Sequence, residues 1–245
     1  MNDAPTGFAR LPQTIETVLF DFGGTLDADG VAWKERFYAL YESDGMVMAA
    51  GAFAPAFYAA DDALVGRLAP TAGFQETVSA LAANLEAELA ARRSAIGAVA
   101  SADSKRARRV AGEFLSQASA ILARNRLALA ALSRRYRLGV VSNFYGNLEA
   151  VCDSAGLARL FGAMVDSQCV GVQKPDPAIF RTALDALHAA PDTTLYVGDS
   201  LGRDGEGARR AGLSFGWITP DGSGPRAAPV AVAIAELPQL LDLLK

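Results

Sequence analysis

A single histidine and two cysteines among 245 residues remove several chemistries before any pattern is read. His188 lies in FRTALDALHAA, a helical stretch whose apolar face is Phe180, Ala183, Leu184 and Leu187, and it falls at the edge of the polar side. A Ser-His-Asp triad, a HExxH zinc site or a two-histidine metal site needs a different inventory. Cys152 and Cys169 stand in separate segments without metal-type spacing, which reads as two buried, reduced thiols of a cytoplasmic protein. No apolar run approaches the roughly 18 residues of a membrane span, and MNDAPTGFARLPQT carries no charged-then-apolar leader pattern. Basic charge is not in excess either. A net charge of −4 gives no electrostatic footprint for nucleic acid, and the clusters at Arg92–Arg93, Lys105–Arg109 and Arg134–Arg137 read as solvated helix faces. Any chemistry must therefore be carried by carboxylates, hydroxyls, lysine or a metal held by oxygen.

What the chain does have is apolar bulk, 51% against 20% charged, enough for one large domain or a core with a smaller insert. Thr17–Phe20 is a β-branched and aromatic run that ends at Asp21 and is followed at once by Gly23–Gly24. Leu138–Val141 followed by Ser142–Asn143 repeats that design, and Thr194–Val197 followed by Gly198-Asp199-Ser200 repeats it again. Each reads as a buried strand stopping at a tight polar loop. Helical stretches around Asn147–Ala155, Pro177–Ala189 and Asp204–Ala211, short strands at Ala163–Val165, Leu213–Ile218 and Val230–Ile234, and a closing helix near Leu237–Leu244 complete an alternation of strands and helices. That alternation predicts an α/β fold, a Rossmann-like parallel sheet with helices on both faces. In such sheets the polar residues at carboxyl strand ends converge on the ligand crevice. From about Gly30 to Leu132 the character changes to an alanine- and leucine-rich helical region. Phe74, Val78, Leu81, Leu85 and Leu89 form one stripe, and Ser101 or Asp103 is placed to cap the helix that follows. Trp33, Phe37 and Tyr41, one turn apart, read as the core of that region rather than a stack for substrate. The division expected is 1–28 and 133–245 for the core, with 29–132 inserted.

Asp21-Phe22-Gly23-Gly24-Thr25-Leu26 after its strand resembles motif I of the haloacid dehalogenase superfamily, usually written DxDGT. Ser142-Asn143 resembles motif II, Lys174 in GVQKPDPAIF resembles motif III, and Gly198-Asp199-Ser200 with Asp204 and Gly207-Ala208 is similar to motif IV, GDSxxxDxxGA. The helical segment directly after motif I is similar to the C1-type cap. The resemblance implies a hydrolase with Asp21 as nucleophile, Ser142 and Lys174 as catalytic partners, and Gly24, Thr25 and Asn143 binding substrate. It also implies Mg²⁺ held by Asp21, the Gly23 carbonyl and Asp199, with Asp204 supporting or near the metal. The substrate it implies is a small phosphorylated metabolite, bound by a monomer or homodimer. These residue types suit the task, because a carboxylate nucleophile splits hydrolysis into covalent capture and release, phosphoryl transfer needs chiefly positioning and neutralised charge, and Mg²⁺ prefers hard oxygen donors.

Blander roles exist for the same residues. Asp21 could be a strand-end turn residue, Ser142 and Asn143 caps of the next helix, Lys174 a surface lysine and Asp199 an N-cap. The glycines of Gly205–Gly212 lack the P-loop Lys-Ser/Thr and the GxGxxG spacing. One departure from the family pattern is chemical. The family's phosphatases carry a second aspartate two residues after the nucleophile as general acid and base, and here that residue is Gly23. A dehalogenase or phosphonatase reaction would not need it, although Lys34 fits poorly as a phosphonatase lysine. A catalytically weak phosphate-binding or regulatory protein would not need it either. Asp27 and Asp29 are the nearby candidates for a surrogate acid, Asp29 standing at an acidic position common in the family's hinge.

Overall fold

In the computed structural model, which describes residues 11–12, 14–95, 101–224 and 230–245, six short runs rich in apolar residues form strands. They are β1 (Thr17–Phe20), β2 (Arg137–Ser142), β3 (Ala163–Asp166), β4 (Thr194–Gly198), β5 (Ser214–Ile218) and β6 (Val232–Ile234). All pair in parallel in the order β3-β2-β1-β4-β5-β6. The chain winds outward from β1 in both directions, so the crevice for ligands lies at the carboxyl ends around β1, where the winding reverses. Phe20 is level with Val140 and with Val197. One residue further on, Asp21, Val141 and Gly198 emerge together at the rim, and Asp21 N continues the ladder by donating to Val197 O at 2.9 Å.

Every residue of β1 is buried, because the sheet is covered on both faces. Val18 and Phe20 belong to one apolar cluster with Val140, Val197, Leu148 and Val151. Leu19 points to the other, with Val141, Tyr196, Ile179, Phe180 and Ala208. The first face is covered by α5 (Leu148–Ser154) and by the helices between β1 and β2, the second by α7 (Pro177–Leu187) and α8 (Glu206–Ala211). The fold is the α/β arrangement that the strand–helix alternation predicts.

Between β1 and β2 stand α1 (Trp33–Ser43), α2 (Ala50–Asp62), α3 (Phe74–Ala95) and α4 (Ser104–Leu132). The α3 stripe Phe74, Val78, Leu81, Leu85 and Leu89 is buried along its length. Asp103 caps α4 by accepting from Lys105 N and Arg106 N. Phe37 stacks on Phe114 at 4.7 Å and, with Tyr41, is fully buried, so this aromatic row is the core of the insert. The insert is fastened to the sheet domain at several points. Asn147 donates to Ala72 O and Thr77 Oγ1, Phe74 N donates to Ser154 Oγ, and Phe22 packs edge-on against Phe74 and Phe144. Asn125 reaches Leu26 O, while Arg124 bridges Asp29 and Glu236. Asp29 is thus tied to the last third of α4. No helix of the described residues is long and apolar enough to cross a membrane.

Two smaller expectations change. Cys152 is buried, and burial pushes its thiol up to about 12. Cys169 is exposed rather than buried, since the short helix it occupies (α6, Ser167–Val170) lies at the protein's edge. His188 ends α7 with φ 50, outside the helix proper.

Candidate active site

Three donors converge on one oxygen of Asp21. Ser142 Oγ donates to Oδ1 at 2.7 Å, Phe22 N at 2.8 Å, and Lys174 Nζ stands 2.8 Å from it. No donor of the described residues engages Oδ2. One oxygen is therefore fixed by the protein while the other has no donor, beside a cavity of about 480 Å³ that Asp21, Gly23, Ser142, Lys174 and Asp199 help to line. Register explains the meeting of Asp21 with Ser142. Both close adjacent parallel strands, and Ser142 is free for this role because α5 is served by Asp166, whose Oδ2 accepts from Leu148 N.

Lys174 reaches the same point from the loop before α7. Its ammonium has three donors and finds three acceptors: Asp21 Oδ1, Asp204 Oδ1 at 2.7 Å and Tyr196 OH at 2.9 Å. Tyr196 in turn donates to Val141 O, so the network is satisfied as a buried polar network must be. Burial alone would pull the lysine pKa down, but the Asp204 and Asp21 carboxylates outweigh it and hold it above its ordinary value. Asn143 lines the cavity, as the substrate contact expected of it would, and also grips the lysine. Its Oδ1 accepts from Lys174 N and its Nδ2 donates to Lys174 O, a two-point grip on the lysine's backbone.

The acidic side of the site is under-neutralised. Oxygens of Asp21, Asp199 and Asp204 lie within 4.8 Å of one another. Asp199 Oδ1 is buried with no hydrogen-bond partner, and burial, with Asp204 and Asp21 nearby, pushes its pKa well above the usual carboxylate range. An orphaned carboxylate oxygen among like charges fits a hard divalent cation. Asp204 is less available to it. Both its oxygens are committed, Oδ1 to Lys174 and Oδ2 to Ser200 N, so its place is to hold the lysine. Gly198 makes that possible, since a Cβ there would stand 2.5 Å from Asp204 Cγ.

The loop after β1 differs from expectation in three respects. Gly24 adopts φ 87, and its missing side chain makes room for Asp199, whose Oδ2 would lie 2.6 Å from a Cβ. Its N–H is taken by Asp27 Oδ1, so it offers nothing to substrate. Thr25 is fully buried and outside the cavity. Asp27 is no surrogate acid. It is fully buried, and its other oxygen accepts from Trp33 Nε1 at 2.7 Å and Arg36 Nη1 at 2.8 Å. Burial raises its pKa and Arg36 opposes the rise. This carboxylate braces the loop against α1.

The insert also supplies residues that sequence patterns did not single out. Tyr58 and Asp61 of α2 line the cavity with Trp33 and Lys34 of α1, and the sheet domain adds Tyr145 and Arg203. Lys34 is paired with Glu35 at 3.0 Å and donates to Tyr58 OH. Arg203 feels Asp21, Asp204 and Asp199 across the cavity.

A family model described as a haloacid dehalogenase-like hydrolase matches residues 15–212. The haloacid dehalogenase-like hydrolase domain-containing protein 3 of Bos taurus is 37% identical over 112 residues, 45% of each chain. A phosphoserine phosphatase of Thermus thermophilus is 45% identical over 64 residues, 26% of each chain. The matched stretches span less than half the length of these curated relatives. The HAD-hydrolase YfnB from Bacillus subtilis, solved bound to magnesium, superposes with a TM-score of 0.58 at 18% identity, covering 95% of this chain and 100% of that one. That likeness speaks for the fold.

Proposed function

Because the chain belongs to the haloacid dehalogenase-like hydrolases it is a hydrolase, and we propose that it cleaves phosphate monoesters of small metabolites through a phosphorylated Asp21, with Mg²⁺ beside it. The observation that carries this reading is the pairing of a donor-fixed Asp21, one oxygen free, with the orphaned carboxylate oxygen of Asp199. A metal-free dehalogenase has no use for the second feature. The phosphatase name of the Thermus thermophilus relative agrees with it.

In this reading Asp21 Oδ2 attacks phosphorus while Ser142, Lys174 and Phe22 N hold Oδ1. The aspartate approaches in one orientation, and its charge is balanced before substrate arrives. Asp204, Tyr196 and Asn143 position Lys174. Asp199 and the Gly23 carbonyl would hold Mg²⁺ beside the Asp21 carboxylate, and the ion would neutralise charge on the phosphoryl oxygens when bound. The helical insert serves as the cap, bringing α1 and α2 over the strand ends to exclude water and choose the substrate. The experiment is turnover of p-nitrophenyl phosphate, a panel of phosphorylated metabolites and a set of haloacids, with Mg²⁺ and with chelator. Phosphate release that needs Mg²⁺ is expected. Halide release without metal would replace this reading, and substrate binding without turnover would favour a regulatory protein.

Asp199→Ala should weaken Mg²⁺ binding by at least about 10-fold in calorimetry, since it removes the unpaired ligand oxygen. Protons and metal compete for Asp199 because its pKa is raised, so wild-type Mg²⁺ affinity should fall as the pH is lowered. Equal affinity in the two proteins would remove the metal site.

A further inference from the structure

An alkyl phosphate needs a proton for its leaving oxygen, and the position that supplies it in related phosphatases is Gly23 here. The structure narrows the alternatives. A side chain at residue 23 is crowded, since its Cβ would lie 3.2 Å from Trp33 Nε1. Asp27 is sealed with both oxygens engaged. Among carboxyls lining the cavity, Asp21 is the nucleophile, Asp199 faces the cation position, and Glu35 is half exposed and ion-paired with Lys34. Asp61 remains. It sits in the last turn of α2, partly buried, and lines the same cavity as Asp21 and Gly23. Tyr145 OH, on the loop after β2, donates to its Oδ1, and no donor of the described residues engages Oδ2.

We propose that Asp61 is the general acid and base of this hydrolase, delivered by the insert instead of by the loop after β1. The proposal rests on the phosphatase reading. In the first step Asp21 Oδ2 bonds to phosphorus, the ester P–O bond breaks, and the leaving oxygen takes the proton of Asp61. In the second, the Asp61 carboxylate takes a proton from water, the water oxygen bonds to phosphorus, and the bond to Asp21 breaks to release inorganic phosphate. Burial raises the pKa of Asp61; the Tyr145 hydrogen bond opposes the rise, neighbouring Asp62 adds to it and Arg203 opposes it. A carboxyl held up in this way suits a group that must both give and take a proton. Placing it on α2 also ties proton transfer to the docking of the insert, because the Asp61–Tyr145 contact spans insert and sheet domain.

The test is Asp61→Asn, which keeps an oxygen for Tyr145, compared with Tyr145→Phe, which cuts the contact but keeps the carboxyl. The Asn variant, mixed rapidly with p-nitrophenyl phosphate and Mg²⁺, should release about one equivalent of nitrophenolate per site. Turnover should then be about 10²-fold slower than wild type, because a phenolate leaves unaided but water still needs a base. With the best alkyl phosphate of the panel it should show no burst and a loss of about 10²–10⁴-fold. Tyr145→Phe should lose less than about 10-fold on both. The proposal is overturned if Asp61→Asn stays within about 3-fold of wild type on both substrates. It is equally overturned if both variants fall alike with no burst, for Asp61 would then only hold the insert. A wild type that cleaves aryl but no alkyl phosphates would overturn it while leaving the phosphatase reading intact. A wild type that cleaves neither would remove both.

Discussion

Asp21→Asn is expected to fold and to lose turnover by at least about 10⁴-fold, the scale of removing one member of a catalytic unit. The amide keeps an oxygen for Ser142, Phe22 N and Lys174, so the geometry at the rim of β1 has no reason to collapse. What it loses is the carboxylate oxygen that attacks. Electrostatics favours survival of the fold, since Lys174 retains Asp204 and Asp199 is relieved of one nearby negative charge. Phosphate release on purified variant, with a thermal melt alongside, decides the matter. A melting temperature within a few degrees of wild type together with undiminished hydrolysis would remove Asp21 from the chemistry.

Lys174→Met should have the largest effect on stability, about 3–5 kcal/mol, because it strips the cation from buried carboxylates that were paired through it. Methionine fills much of the aliphatic volume, so the cost is chiefly electrostatic. The sign of its pH dependence follows from linkage. Without the ammonium, Asp204, whose pKa burial already raises, holds its proton more tightly in the folded protein than in the unfolded chain. Stability then rises as pH falls. The deficit against wild type, measured by urea unfolding, should therefore narrow from about pH 8 to about pH 5. In wild type the raised pKa of Lys174 makes its contribution complete at neutral pH, and it is lost only as pH climbs from the ordinary lysine value of 10.5 through the raised one. A variant as stable as wild type at about pH 8 would contradict the buried network.

The sheet and its polar rim were legible because each is written locally. An apolar run that stops at Asp21, at Ser142 or at Gly198-Asp199 announces both a strand and a polar residue at its end, and parallel pairing then brings those ends together. The insert's helices were legible for the same reason, as the α3 stripe illustrates. Its contribution to the site was not. Periodicity says which face of α2 is buried but not what that face meets, so Asp61 and Tyr58 acquire meaning only once α2 lies over the strand ends. Tyr196 was hidden in an apolar strand, where its hydroxyl matters only because Lys174 arrives from a distant loop. Asp27 misled for the opposite reason. Its proximity to Asp21 suggested chemistry, while its partners Trp33 and Arg36 sit in the next helix, where a buried acid is braced and not reactive. Asn143 was placed correctly at the rim, yet the backbone it grips is 31 residues away in sequence.

Helix α4 runs unbroken for 29 residues, roughly 43 Å at 1.5 Å per residue, with its first turns in the insert and Arg124 and Asn125 docked on Asp29, Glu236 and Leu26 near the sheet. One residue added or lost between Asp103 and Arg124 would turn the two ends against each other by about 100°. Either the insert's own packing or the docking at Arg124 and Asn125 would then go out of register. Length variation among descendants of this chain should therefore be confined to the connections between the insert's helices, such as Asp44–Ala49 and Ala63–Gly73. The interior of α4 should change in composition but not in number, which fixes the reach of the insert while its cavity-lining residues remain free to diverge.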